Sequence, residues 1–245
     1  MNKAYITIDL DWASEAVIGE ALKIVADANV PITFFQTHKS ERVLLYCKNH
    51  LSSLEWHPNF MLGSSHGGSV KEIANSLKNI PAEKRIVRCH LYHAPEPAFG
   101  SFMNMTGITV TSNVLSLLKP LPIRVEENCI EMPVFFEDGA FIKAGLPFDV
   151  NVVMNAAKNA DNLVFVFHPI HLAFNSFDYQ LTRTLKDQLS RQEYRSIDKN
   201  IIDERRYCGY GIANLFIDLV KALKTHGYRC CLMKEAFDND QSLFL

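Results

Sequence analysis

Aspartates and histidines stand at the ends of apolar runs along this chain. In ITIDLDW, Asp9 and Asp11 are two residues apart and would share one face of a strand. Two carboxylates side by side repel, and a bound cation is the common remedy. The structural alternative is that one caps the next helix and the other is solvated. In SLEWHPNF, His57 follows a short apolar run and Pro58 bars a central strand from continuing. In MLGSSHGG, His66 lies among Gly63, Gly67 and Gly68, which let backbone approach a ligand or simply leave a solvated loop histidine. VRCHLYH alternates Arg88 and His90 around Cys89. An arginine at a buried strand end needs a carboxylate, for which Asp9 and Asp11 are candidates; a surface salt bridge is the alternative. MPVFFEDG sets Asp138 before Gly139, where a turn alone would account for it. LVFVFHPIH ends its most apolar strand in His168, with His171 in the loop beyond. A histidine there titrates near neutrality, as a general acid must.

Such side chains meet only if several strand ends meet, as they do at the cleft of an α/β fold. Short apolar runs alternate with helix-period segments, which predicts βα units. The predicted strands are residues 4–10, 31–36, 54–57, 85–90, 108–111, 123–125, 130–136, 163–167 and 228–233. The predicted helices are 14–28, with Ser14 as N-cap, 41–50, 70–79, 150–159 and 212–224, the last stopped by Gly227. Residues 178–206 are highly charged and hold no glycine or proline, so they read as an exposed helical insertion. No repeat or linker interrupts the chain, and one domain over residues 1–245 is the economical reading.

Composition narrows the partners. The 245 residues are 48% hydrophobic and 21% charged, with a formal net charge of −2. No basic block stands out, which argues against nucleic acid or an anionic membrane surface. The six cysteines form no CxxC pair. No signal peptide and no membrane-length apolar stretch are visible, so the expected compartment is the cytoplasm.

Taken in order, ITIDLDW, VPITFF, RCH and VFVFH resemble the polysaccharide deacetylase superfamily, also called the NodB-homology or carbohydrate esterase family four. EWHPNF, GSSHG, VRCHLY, MPVFFED, FHPIHLAFN and CGYGIANLFIDLVKAL are similar to its WbmS-type branch, met in surface-polysaccharide and lipopolysaccharide O-antigen gene clusters. The resemblance implies a distorted, incomplete (β/α) barrel with a divalent metal, zinc first, in its mouth. It implies removal of an N-acetyl or related acyl group from a carbohydrate. By the same resemblance Asp9 is the base, Asp11 and His57 are metal ligands, Arg88 orients Asp9, and Asp138 supports His168 as general acid. Val166 and Phe167 would line the acetyl pocket. Two departures stand out. Leu10 separates the aspartates, so their roles could be exchanged. The usual second histidine position holds Met61, a poor ligand for such a metal. His66, Asn59 or water must replace it, or the metal is absent; His66 is the reading taken, because its glycine-flanked loop can bend back. The rivals are a catalytically silent sugar-binding barrel without metal, and a barrel phosphoesterase, whose first strand usually offers a His-x-His pair.

Overall fold

The computed structural model describes residues 2–126 and 129–237. Ten strands among them form one sheet. They are β1 (Lys3–Asp9), β2 (Ile32–Gln36), β3 (Ser52–Trp56), β4 (Ile86–Val87), β5 (Val110–Thr111), β6 (Arg124–Glu126), β7 (Cys129–Glu131), β8 (Val134–Glu137), β9 (Asn162–Phe167) and β10 (Arg229–Cys231). The order is β6-β7-β5-β4-β3-β2-β1-β9-β8, and β10 pairs with the start of β1. The pairings are parallel except β6 with β7. The sheet is an open path, yet its two flanks meet. Val134 N donates to Val114 O at 2.7 Å, and Ser116 N and Leu118 N donate back to Val134 O and Phe135 O. Residues 114–118 thus close the gap with a short bridge rather than a full strand, the incomplete α/β barrel that the sequence pointed to.

Strand alternation sorts the apolar side chains onto two faces. Tyr5, Phe35, Ile86, Val110, Ile130, Val164 and Val166 fill the inner face. Ala4, Ile6, Ile8, Phe34, Phe165 and Phe167 turn outward, under helices Glu15–Ala28, Val150–Ala156, Pro169–Phe174 and Ile212–Thr225. Burial on both faces explains why these strands read as continuous apolar runs. Ser14 caps the first helix, its side chain accepting from Val17 N.

Three expectations change. The single strand over 130–136 splits into β7 and β8, which lie on opposite flanks of the sheet. Pro133 lies at the break and has no N–H for a ladder. The strand over 85–90 shrinks to β4, because the chain turns at Leu91 and Tyr92, both left-handed with φ 55° and 57°. Helices Ala98–Thr106, Asp138–Lys143 and Pro169–Phe174 were not foreseen. Residues 178–206 hold helices Tyr179–Gln188, Arg191–Arg195 and Lys199–Arg205, anchored by buried Ile197 and Ile202. No described helix is long and apolar enough to cross a membrane. All six cysteines are free thiols.

Candidate active site

The C-terminal ends of β1, β3, β4, β8 and β9 bring the polar residues together. Asp9 ends β1. Asp11 and Trp12 follow in the left-handed region, with φ 44° and 55°. Each such residue costs about 1–3 kcal/mol unless its surroundings impose it. Trp12 N donates to Thr37 Oγ1 at 3.0 Å and Ala13 N to Leu10 O at 2.8 Å, which hold the turn. Asp11 therefore leaves the strand but still faces the cleft.

Around Asp11 the ligand atoms of His57 and His90 converge, all three within 4.8 Å of one another. Asp11 Oδ1 lies 3.2 Å from His57 Nε2 and 3.0 Å from His90 Nδ1. His57 Nδ1 donates to the Arg88 carbonyl at 2.6 Å. That bond fixes the neutral tautomer and leaves a lone pair on Nε2 facing a carboxylate oxygen. Two acceptors so placed need a proton or a cation between them. The residues thus fit a divalent ion: one carboxylate and two imidazoles is a donor set suited to zinc. Burial alone would raise the Asp11 carboxyl, but His90, His57 and His168 hold it well below the usual range.

Beside this group, Arg88 is fully buried and donates through Nη1 to Asp9 Oδ1 and Thr7 Oγ1, both at 2.8 Å. Its Nη2 donates to Ser112 Oγ at 2.9 Å, and its guanidinium lies 4.1 Å from the Phe35 ring centre. Asp9 is thereby held in place, with Oδ2 3.7 Å from His57 Nε2.

On the far side, buried Asp138 grips His168 twice. His168 Nδ1 donates to Oδ1 at 2.6 Å, and the His168 backbone N donates to Oδ2 at 2.7 Å. The other ring nitrogen, Nε2, is 3.6 Å from Asp11 Oδ2 and faces the cleft. Burial opposes a charged His168, yet Asp138, Asp11 and Glu137 raise it to about 10. Glu137 also lines the cleft, a cavity of about 410 Å³, while its carboxylate caps Gly139 N and Ala140 N. Burial pushes Glu137 up to about 7. A Cβ at Gly139 would meet Glu137 Oε1 at 2.8 Å and His171 Nε2 at 3.3 Å, so both side chains would have to shift.

With this geometry in place, the comparisons with known proteins bear on it. The family of WbmS-like polysaccharide deacetylases matches residues 6–186. The chain belongs to that family. A protein from Bordetella bronchiseptica, WbmS, described as a candidate polysaccharide deacetylase involved in O-antigen biosynthesis, has a similar solved structure. It is 23% identical, with a TM-score of 0.72 over 89% of this chain and 90% of that one. The peptidoglycan deacetylase PdaC from Bacillus subtilis matches at 12% identity and a TM-score of 0.46, covering 96% and 89% of the two chains. A family-four carbohydrate esterase from Streptococcus mutans matches at 14% and 0.49, covering 94% and 85%. No curated protein matches. The likeness to the Bordetella protein shows the fold.

Within this family member, the residues expected at the site divide. Asp9, Asp11, His57, Arg88, Asp138 and His168 come together. His66 lies outside the group that Asp11, His57 and His90 form. Its Nδ1 accepts from Asn59 N at 3.1 Å and its Nε2 donates to Thr37 O at 2.8 Å, so both ring nitrogens are engaged. Burial lowers it to about 4, and it ties two loops together as a neutral ring. His90 takes the position beside Asp11 instead. The one signal for it in the sequence was its alternation with Arg88, which the turn at Leu91 and Tyr92 converts into a shared mouth. Met61 is exposed. Val166 and Phe167 face opposite ways: Val166 lies in the inner cluster, and Phe167 packs outward on Phe216 at 4.9 Å. Leu115 and Ile170 supply apolar cleft lining instead. His171 sits in helix Pro169–Phe174 rather than a loop, 5.8 Å ring to ring from His168. Glu137 was missed, although it is the first acid of the FFED run.

Proposed function

We propose that the chain removes an N-acetyl or related acyl group from a sugar, using a divalent ion, zinc first, held by Asp11, His57 and His90. The carrying observation is the convergence of those three ligand atoms between an arginine-held carboxylate and a carboxylate-held histidine. An ion bound there would supply Lewis acidity for the acyl carbonyl and for the attacking water.

Asp9 then accepts the proton of the attacking water. Its pairing with Arg88 keeps it aimed, and its Oδ2 is the oxygen on the His57 side. Once the carbonyl carbon is tetrahedral, the C–N bond breaks only if the nitrogen leaves as an amine. His168 donates that proton from Nε2, while Asp138 fixes Nδ1 and compensates the ring's charge. Attack and departure are thus served from opposite walls of one cleft. Acetate and an amino sugar result. The Bordetella protein's description favours a surface-polysaccharide sugar as substrate.

The test is metal content by mass spectrometry of protein exposed to zinc, together with acetate release from N-acetylated sugars. Bound zinc that is lost in His90→Ala, with acetate release by the wild type, supports the reading. A wild-type protein that takes up no divalent ion is instead the silent sugar-binding barrel.

A further inference from the structure

A second cavity, of about 320 Å³, adjoins the cleft and shares Asp11 and His90 with it. Its walls are Trp12, Ser64, Ser65, Tyr194, Arg191 and Arg195. The two arginines are four apart on the short helix Arg191–Arg195, so they project from one side of it. Each is steadied by a neutral acceptor. Arg191 Nη1 donates to Gly63 O and Arg195 Nη2 to Ser65 Oγ, both at 3.1 Å. Arg195 also lies over the Trp12 ring, 5.8 Å from its centre.

Neither guanidinium has a carboxylate partner among the described residues. The nearby acid Glu193 is turned back on its own helix, capping Ser190 N at 2.7 Å. Arg183, which lines the neighbouring cleft, does have a partner, Asp187 at 2.8 Å. Two cations beside a sugar-sized space whose one lining carboxylate, Asp11, is engaged by His57 and His90 are a recognition device for a ligand carboxylate or phosphate. Tyr194 lines the same cavity between the two arginines, and its buried hydroxyl has no hydrogen-bond partner among the described residues.

We infer that Trp12, Tyr194, Arg191 and Arg195 form a subsite for an oxyanion, so that the acyl sugar acted on is acidic or phosphorylated rather than neutral. This rests on the deacetylase reading of the adjoining cleft. The indole offers a face to a sugar ring, Tyr194 part of the wall beside it, and the guanidiniums a clamp on the anionic group. Carboxylate and phosphate share this chemistry, and the probes separate them.

The experiment titrates metal-loaded protein calorimetrically with N-acetylglucosamine, its 1-phosphate, its uridine diphosphate ester and an N-acetylhexosaminuronic acid, with acetate release followed in parallel. At least one anionic probe should bind about tenfold more tightly than the neutral sugar, with affinity falling as salt rises. Arg191→Gln with Arg195→Gln should erase that preference without changing the melting temperature, since both side chains are exposed. The paired lysine variant, which keeps the charge, should restore part of it. Whichever anionic probe gains identifies the source. Equal binding of neutral and charged probes, or a preference that survives the double glutamine variant, overturns the inference. Acetate release without charge preference would sink the subsite alone. Arginine-dependent binding without acetate release would sink the deacetylase reading alone.

Discussion

His57 and Arg88 are joined so that one residue serves both halves of the site. The Arg88 carbonyl accepts from His57 Nδ1 at 2.6 Å, while its guanidinium donates to Asp9 at 2.8 Å. On the proposed mechanism, the backbone orients a metal ligand and the side chain orients the base. Arg88→Lys therefore keeps the first function and loses the second. It should retain metal but lower kcat by about two orders of magnitude, since a lysine cannot reproduce the planar fork. Loss of metal in this variant would refute the division of labour.

Asp9 and Asp11 differ in partners, and the proposed mechanism gives them different roles. Asp9 faces Arg88, and Asp11 faces His57 and His90. Asp9→Asn should abolish turnover with metal content intact, whereas Asp11→Asn should lose metal. The reverse pattern, read by mass spectrometry and acetate release, would mean that the two are exchanged.

The two loop histidines make a sharper contrast. His90→Ala should strip the metal. His66→Ala should keep it but lose about 1–3 kcal/mol of stability, because Thr37 O and Asn59 N would be left unmatched. Denaturant melts and metal analysis of both variants check this. Metal loss in His66→Ala alone would sink the assignment of His90.

The Asp138–His168 pair carries a pH signature. His168 is raised to about 10, so the folded state holds a proton that the unfolded chain releases near 6.5. The stability from this pair is fully present below about pH 6.5 and is lost as pH rises toward 10. In metal-free protein, Asp138→Asn should flatten that decline in melting temperature. In metal-loaded protein the same variant should move the basic limb of the activity profile to lower pH. An unchanged melting profile would remove Asp138 as the partner.

What the sequence determined by itself was the alternation of strand and helix, and which polar residues end which strands. Apolar runs and their punctuation are local, so β1, β2, β9 and the helices Glu15–Ala28 and Ile212–Thr225 were legible almost to the residue. Asp9, Asp11, His57 and His168 were legible for the same reason: each is the polar residue at or just beyond the end of a run. The structure alone decided the partners. His66 and His90 look alike in sequence, and their roles depend on whether a ring nitrogen is consumed by backbone from another loop. Thr37 O takes the His66 nitrogen, while two left-handed residues after His90 aim its ring at Asp11. The same holds for Pro133, which sends the two halves of one apolar run to opposite flanks of the sheet and so carries Glu137 and Asp138 to His168. Hydrogen bonds between groups far apart in the chain leave no periodic trace in it, because they are fixed only once packing has chosen which strand ends meet.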